Sequence, residues 1–179
     1  MLDAKRTALV LIDVQEKLAG VMHEKERMFD NLQRLIRGVR VLEVPILWCE
    51  QNPAGLGGTI TQLVEHLDGL KPIAKMSFDC CACKEFARQL DQISPKHVLL
   101  AGIEAHVCVY QTAARMVGAG YDVQIVADAV SSRTPENKSL ALGRSTAMGV
   151  TITSTEMALF ELLRDAENPM FREILKIVK

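Results

Sequence analysis

Hydrophobic and polar positions along the chain alternate between two patterns. Continuous apolar runs rich in β-branched residues, at Thr7 to Val14, Pro45 to Trp48, Ile73 to Lys75, His97 to Ala101, Asp122 to Ala127 and Val150 to Thr153, predict six strands. Such runs are apolar throughout rather than at every second position, which is expected of strands buried on both faces in a parallel sheet. Stretches with helical spacing lie between them. From about Met28 to Leu42, the residues Leu32, Leu35, Ile36, Val39 and Leu42 form one apolar stripe. Lys84 to Ile93 is helical, and His106 to Gly118 is a helix stopped by Gly118 and Gly120. Thr134-Pro135-Glu136 starts another, with a Thr cap and Pro in the first helical position, running to about Met148. Ser154 caps a helix through about Leu163, and Asn168-Pro169 opens a terminal one. Thr61 to Leu67 is weakly helical, and Glu50 to Gly58 is rich in turn residues and reads as a loop.

Strands alternating with helices of ten or more residues predict an α/β fold. The expected architecture is a doubly wound, mostly parallel six-stranded sheet with helices on both faces, Rossmann-like, with right-handed crossovers. No linker, internal repeat or low-complexity segment interrupts the pattern, so residues 1–179 read as a single domain.

Composition narrows the partners. A net charge of −1 argues against a broad nucleic-acid or membrane footprint, so a small-molecule substrate is expected instead. No apolar run approaches the roughly 20 residues of a membrane span. The start, Met1 to Arg6, leads straight into the first strand without a signal-peptide core. Five cysteines, an odd number with three crowded into Cys80-Cys81-Ala82-Cys83, do not resemble a disulfide framework, and a reducing cytoplasm is expected. Met170, Phe171, Ile174, Leu175 and Ile177 exceed what one helix stripe needs, which predicts a homo-oligomer, a dimer or larger.

The segment Val98 to Thr112 carries the densest chemistry: an apolar strand, a turn at Gly102, then a helical pattern with Cys108 in its first turn. Unpaired amides at a helix start lower the pKa of a nearby thiol and favour the thiolate. The carboxyl end of a parallel strand is also where open α/β sheets place ligand crevices. Simple packing of Cys108 under the helix is the alternative, since free cysteine is among the most buried residue types. Asp13 closes an apolar strand, where a carboxylate is costly unless it is paired, functional or capping a turn. Lys75 ends another apolar run and would by default be exposed. If strands 1 and 4 are neighbours, Asp13 and Cys108 emerge at one edge of the sheet and Lys75 reaches them. Asp as proton acceptor, Cys as nucleophile and Lys as charge partner suit covalent catalysis at a carbonyl.

Other candidates carry less. Cys80, Cys81 and Cys83 have no second cysteine pair or histidine at finger spacing and do not read as a metal site. His106, two positions before Cys108, would face away from it on a helix and reads as structural. Trp48 and Phe78 flank loops and either wall a pocket or pack in the core. Gly55, Gly57 and Gly58 lack a following Lys-Ser/Thr and make no phosphate loop. Lys17, Lys25 and Arg27 form a solvated face.

Three separated motifs, Leu11-Ile12-Asp13-Val14-Gln15, Lys75 with Ser77-Phe78, and Gly102-Ile103-Glu104-Ala105-His106-Val107-Cys108-Val109, match in order and spacing those of a known superfamily. From about Thr7 to Leu163 the chain resembles the isochorismatase-like cysteine hydrolases, which include nicotinamidase, N-carbamoylsarcosine amidohydrolase and isochorismatase. The resemblance implies that Asp13, Lys75 and Cys108 are catalytic. It also implies an oxyanion hole from the backbone amides of Glu104 and Cys108, beside a cis Ile103–Glu104 peptide. Gln15, Leu18, Gln51, Leu56, Phe78 and Thr134 are the expected pocket residues. Glu50-Gln51-Asn52-Pro53 and Ser131 to Asn137 look most like a poorly characterised branch of small bacterial hydrolases and their eukaryotic relatives.

Two departures shape the expected chemistry. Metal-dependent nicotinamidases carry an Asp-x-His pair after strand 2, where this chain has Cys49-Glu50-Gln51-Asn52, and His66 alone makes no zinc site. No metal or cofactor is therefore expected, and nicotinamide is disfavoured. True isochorismatases lack the nucleophilic cysteine, so vinyl-ether hydrolysis is disfavoured too. What remains is a cysteine-dependent hydrolase of a small amide, imide or related acyl compound, working through a thioester. The alternative is a catalytically silent or redox-sensitive binding or scaffold protein on the same fold.

Overall fold

The computed structural model describes residues 1–179. Six strands and nine helices follow one another as β1 (Thr7–Ile12), α1 (Glu16–Ala19), α2 (Lys25–Val41), β2 (Ile46–Gln51), α3 (Pro53–Leu56), α4 (Thr61–Val64), β3 (Ile73–Lys75), α5 (Lys84–Ile93), β4 (His97–Ile103), α6 (Tyr110–Gly118), β5 (Asp122–Ser131), α7 (Pro135–Ala147), β6 (Thr151–Thr153), α8 (Thr155–Leu163) and α9 (Phe171–Val178). The sheet order is β3-β2-β1-β4-β5-β6 with every pair parallel. Strand order therefore reverses between β1 and β4, and the crevice outside their carboxyl ends is where such sheets bind ligands.

Alternate residues of the central strands feed two cores. Leu9 and Leu11 of β1 and Leu99 and Ala101 of β4 pack with Leu32, Leu35, Ile36, Leu159 and Ile174, from α2, α8 and α9. Val10, Ile12, Val98 and Leu100 face the other way, onto Phe86, Leu90, Ala113, Met116 and Ala141 of α5, α6 and α7. A strand buried on both faces needs apolar residues at every position, and all six positions of β1 are buried. The predicted caps form: Thr134 Oγ1 accepts from the Asn137 N–H at 3.3 Å, and Ser154 Oγ from the Met157 N–H at 3.2 Å.

Several boundaries differ from the sequence expectation. β1 stops at Ile12, because Asp13 takes a left-handed φ of 55° and turns out of the ladder. β2 runs on to Gln51, into the expected loop. β5 reaches Ser131 rather than Ala127, carried on by a shift in register between Leu100 and Gly102 of β4. The helix expected from His106 opens as a single π-helical turn, Ala105–Val109, before α6 begins. The terminal segment also corrects the sequence argument for self-association. Ile174 and Ile177 are buried, Phe171 packs against the α2-side core, and only Met170 of the five named residues is exposed. The apolar excess there is spent inside the chain. No helix is long and apolar enough to cross a membrane.

Candidate active site

Asp13 follows β1 directly, Gln51 ends β2, Lys75 ends β3, and Cys108 lies in the turn after β4, so four adjacent strands deliver these residues to one edge. Gly102 makes the approach of β4 to β1 feasible. Its φ of +114° suits glycine, and a Cβ at this position would overlap the Ile12 carbonyl. The closeness of the two backbones at this point sets the turn bearing Cys108 beside Asp13.

The Lys75 ammonium is enclosed by oxygen. Nζ donates to Asp13 Oδ2 at 2.7 Å and Gln51 Oε1 at 2.8 Å, and to the carbonyls of Ser77 and Phe78 at 3.2 and 3.4 Å. The side chains of Asp13 and Lys75 are wholly shielded from solvent, and Cys108 is 6% exposed. Exposure is the default for a lysine ending an apolar run, but here Lys75 is the buried partner of a buried carboxylate. The other carboxylate oxygen, Asp13 Oδ1, is buried without a hydrogen-bond partner of ordinary geometry, and the Cys108 thiol is close enough to influence the Asp13 carboxyl.

Electrostatics set the resting state. Burial lifts Asp13 above the usual carboxylate range, and the Lys75 charge offsets only part of this. Burial alone would favour a neutral Lys75, but the Asp13 charge, Cys80, Cys108 and the hydrogen bond to Asp13 together hold the amine above its ordinary value. Burial and then the Asp13 charge push the Cys108 thiol well up, more than Lys75 pulls it down. This corrects the expectation of a thiol depressed by a helix start: the resting sulfur is protonated, beside a carboxylate made more basic than usual.

The turn leading to Cys108 contains a cis Ile103–Glu104 peptide. The Glu104 N–H donates to no backbone carbonyl. The Glu104 carboxylate accepts from the Arg133 N–H and Nε, both at 3.2 Å, and His106 Nδ1 lies 2.9 Å from Ser132 Oγ. These contacts strap the loop after β5 to the loop after β4, and His106 has the structural role expected of it.

The expected pocket residues separate into groups. The Gln15 amide is fully engaged, with Oε1 accepting from the Gln51 N–H at 2.7 Å and Nε2 donating to the Gln51 and Gly57 carbonyls at 2.9 and 2.6 Å. Gln51 Nε2 donates to the Met76 carbonyl at 2.8 Å while its oxygen faces Lys75. Both glutamine side chains thus hold the backbone and Lys75 around the site. Thr134 is committed to capping α7, Leu18 packs on the α2-side core, and Leu56 is half-buried on α3. Phe78 is 52% exposed. Trp48 belongs to the core, with its indole N–H on Thr59 Oγ1 at 2.7 Å.

Sequence reasoning missed Glu50. Its buried carboxylate accepts from Thr59 N and Oγ1 at 2.7 and 2.8 Å and adds negative potential at Asp13. The available signal was a charged residue between Cys49 and Gln51 that lies within β2 rather than a loop. All five cysteines are free, and no three His, Cys, Asp or Glu side chains stand close enough to hold a metal ion together. A groove of about 760 Å³ between α2, α4 and α9, lined by Arg37, Arg40, His66, Arg172 and Lys176 among others, does not reach these residues.

Comparison with known proteins adds to the geometry. The family model of the isochorismatase domain matches residues 7–157. Isochorismatase domain-containing protein 2 of Danio rerio is 37% identical over 177 residues, covering 99% of this chain and 89% of the relative. The secreted isochorismatase effector Isc1 of Phytophthora sojae is 38% identical over 178 residues, covering 97% and 84%. Among solved structures, one described as a MAR1 ribonuclease from Caenorhabditis elegans superposes with a TM-score of 0.93 at 33% identity, over 99% of this chain and 91% of that one. The YcaC gene product of Escherichia coli, described as an octameric hydrolase of unknown specificity, gives 0.89 at 21% identity, over 98% and 94%.

Proposed function

The chain belongs to the isochorismatase family, whose members are generally hydrolases, and from that premise we propose that it is a cysteine hydrolase of a small amide, imide or related acyl compound. One observation carries this reading. Asp13, Lys75 and Cys108, from the ends of three separate strands, meet in a nearly dry site at the carboxyl edge of the sheet, with Lys75 bonded to Asp13 Oδ2 and Oδ1 left open. A scaffold has no physical need for such a buried ionic cluster, since burying charges costs more than it returns unless the geometry is used.

Oδ1 is the base. As the Cys108 sulfur attacks the carbonyl carbon, its proton passes to Asp13 Oδ1, so thiolate character develops during attack rather than before it. The carbonyl oxygen becomes an oxyanion that the Glu104 and Cys108 amides receive, each such donor contributing roughly 3 kcal/mol. Collapse breaks the C–N bond, Asp13 returns the proton to the leaving nitrogen, and a thioester remains. Asp13 then takes a proton from water as the hydroxyl adds to the thioester, the C–S bond breaks, and the sulfur recovers that proton. Lys75 keeps its charge throughout and balances whichever neighbour is negative.

Low exposure of the thiol favours a compact substrate over a polymer. The relative described as a ribonuclease makes RNA the other class to test, but a strand is a poor match for a cysteine 6% exposed. The pushed-up Cys108 thiol is the observation that favours the silent-scaffold alternative, and turnover decides between them. Exposed apolar side chains at Val21, Met76, Phe78, Leu140 and Met157 support self-association, and five free thiols suit a reducing compartment such as the cytoplasm.

A panel of small amides, ureides and esters tests the reading, with Cys108→Ala as control. The expected result is turnover by the parent, none by the variant, and an acyl adduct on Cys108 visible by mass spectrometry. Turnover that survives Cys108→Ala rejects the mechanism.

A further inference from the structure

Gln51 is the one neutral side chain bonded to the Lys75 ammonium, and its role goes beyond filling space. It ends β2 directly in register with Lys75 of β3, is 8% exposed, and bonds at both ends of its amide. The orientation is fixed by its partners. Turning the amide over would aim an NH2 at the ammonium and an oxygen at the Met76 carbonyl, losing both bonds. Gln15, wholly buried, holds the Gln51 backbone through its N–H and its carbonyl, so the end of β2 has little freedom to move.

During catalysis Asp13 alternates between anion and neutral acid. When it holds the thiol proton, the strongest acceptor of Lys75 weakens, and Gln51 Oε1 at 2.8 Å is nearer than either carbonyl at 3.2 and 3.4 Å. An amide oxygen does not titrate, so its hold on the ammonium is the same in both halves of the cycle. We propose that Gln51 is a positioning residue, keeping the Lys75 ammonium in place while Asp13 carries the proton of Cys108, with Gln15 fixing Gln51 for that task. The proposal rests on the cysteine-hydrolase reading above. Other ionisable groups facing this centre are Cys49 and Glu50 of β2, Cys80 of the turn after β3, and Cys108 itself.

The test follows Cys108 by mass mapping during reaction with acrylamide between pH 6 and pH 10, in the parent, Asp13→Asn, Gln51→Met and Gln51→Glu. Gln51→Met removes the acceptor at similar volume, and a hydrogen bond to a charged group corresponds to about a tenfold or larger loss of rate at pH 7. Gln51→Glu keeps an acceptor but adds negative charge, and is expected to restore part of the rate while moving the pH profile about one unit upward. A merely structural Gln51 would lower the urea midpoint without moving that profile. Parent-like rates and profiles in both Gln51 variants, with Asp13→Asn slowed, overturn this proposal alone. An unchanged Cys108 rate in Asp13→Asn overturns the hydrolase reading and this proposal with it. If Gln51→Met fails to fold, the Glu variant decides, and an unmoved profile there is the negative result.

Discussion

Replacing Lys75 with Met should destabilise the fold in a pH-dependent way whose sign follows from the site. The substitution keeps most of the side-chain volume but strips Asp13 Oδ2 of its 2.7 Å partner, while Oδ1 already has none. No other cation is bonded to this carboxylate, and Gln51 Nε2 is committed to the Met76 carbonyl. Breaking a buried pair by removing one partner costs about 3–5 kcal/mol. The cost belongs to the ionised form of Asp13, whose folded pKa, already raised, must rise further in the variant. A group raised on folding contributes its stability fully below the unfolded pKa, near 3.8 here, and loses it as pH climbs through the folded value. The deficit of the variant should therefore be small near pH 5 and grow toward pH 8, by at most about 1.4 kcal/mol per pH unit for a single proton. Urea unfolding followed by the fluorescence of Trp48, the one tryptophan and a buried one, measures this at equal protein concentration across that range. Asp13→Asn combined with Lys75→Met should regain most of the loss at pH 8. A deficit independent of pH, or a double variant no more stable than Lys75→Met, would refute the assignment of the cost to an orphaned carboxylate.

Alkaline pH should unfold the parent early, because burial pushes Cys81 up to about 12 and Cys108 further in the same direction from an ordinary value near 9. Their contribution is complete below pH 9 and is lost as pH rises toward the folded values, so a urea midpoint flat from pH 8 to pH 11 contradicts it. Gly102→Ala should cost about 2–5 kcal/mol, from overlap with the Ile12 carbonyl and a left-handed φ, and a thermal midpoint within a degree of the parent rules that out. Chelator treatment should leave turnover unchanged, since no three candidate ligands converge; loss of activity restored by zinc would overturn metal-free catalysis. Light scattering should give a mass above that of the 19.8 kDa monomer, and a monomeric mass at micromolar concentration rejects self-association.

Legibility in the sequence tracked how local each cause was. The buried strands and the caps at Thr134 and Ser154 follow from neighbours within a few residues, the parallel sheet from the alternation of strands and helices, and these features appear in the structure. The terminal helix failed for a non-local reason: residues counted as surplus on α9 pack on α2 and α8, elements more than a hundred and about ten residues away. Gln15 and Gln51 carry a structural role that no local pattern displays. Beside an active edge they read as substrate contacts, but a strand end turning away from its ladder leaves backbone groups unpaired, and Gln15 fills that need.

Cys108 shows the deeper limit. A thiol in the first turn after a parallel strand suggests a thiolate, because the motif displays the helix start and conceals the dielectric. In the folded chain Cys108 is nearly dry, and desolvation with the Asp13 charge outweighs the favourable Lys75 charge. The same burial that keeps the thiol protonated also raises Asp13, so nucleophile and base shift in the same direction. Opening this site to solvent would ease both shifts at once, leaving a weaker base beside a more acidic thiol. Dryness is therefore a property of the pair, and substitutions that admit water should alter the pH profile of Cys108 even where they touch neither residue.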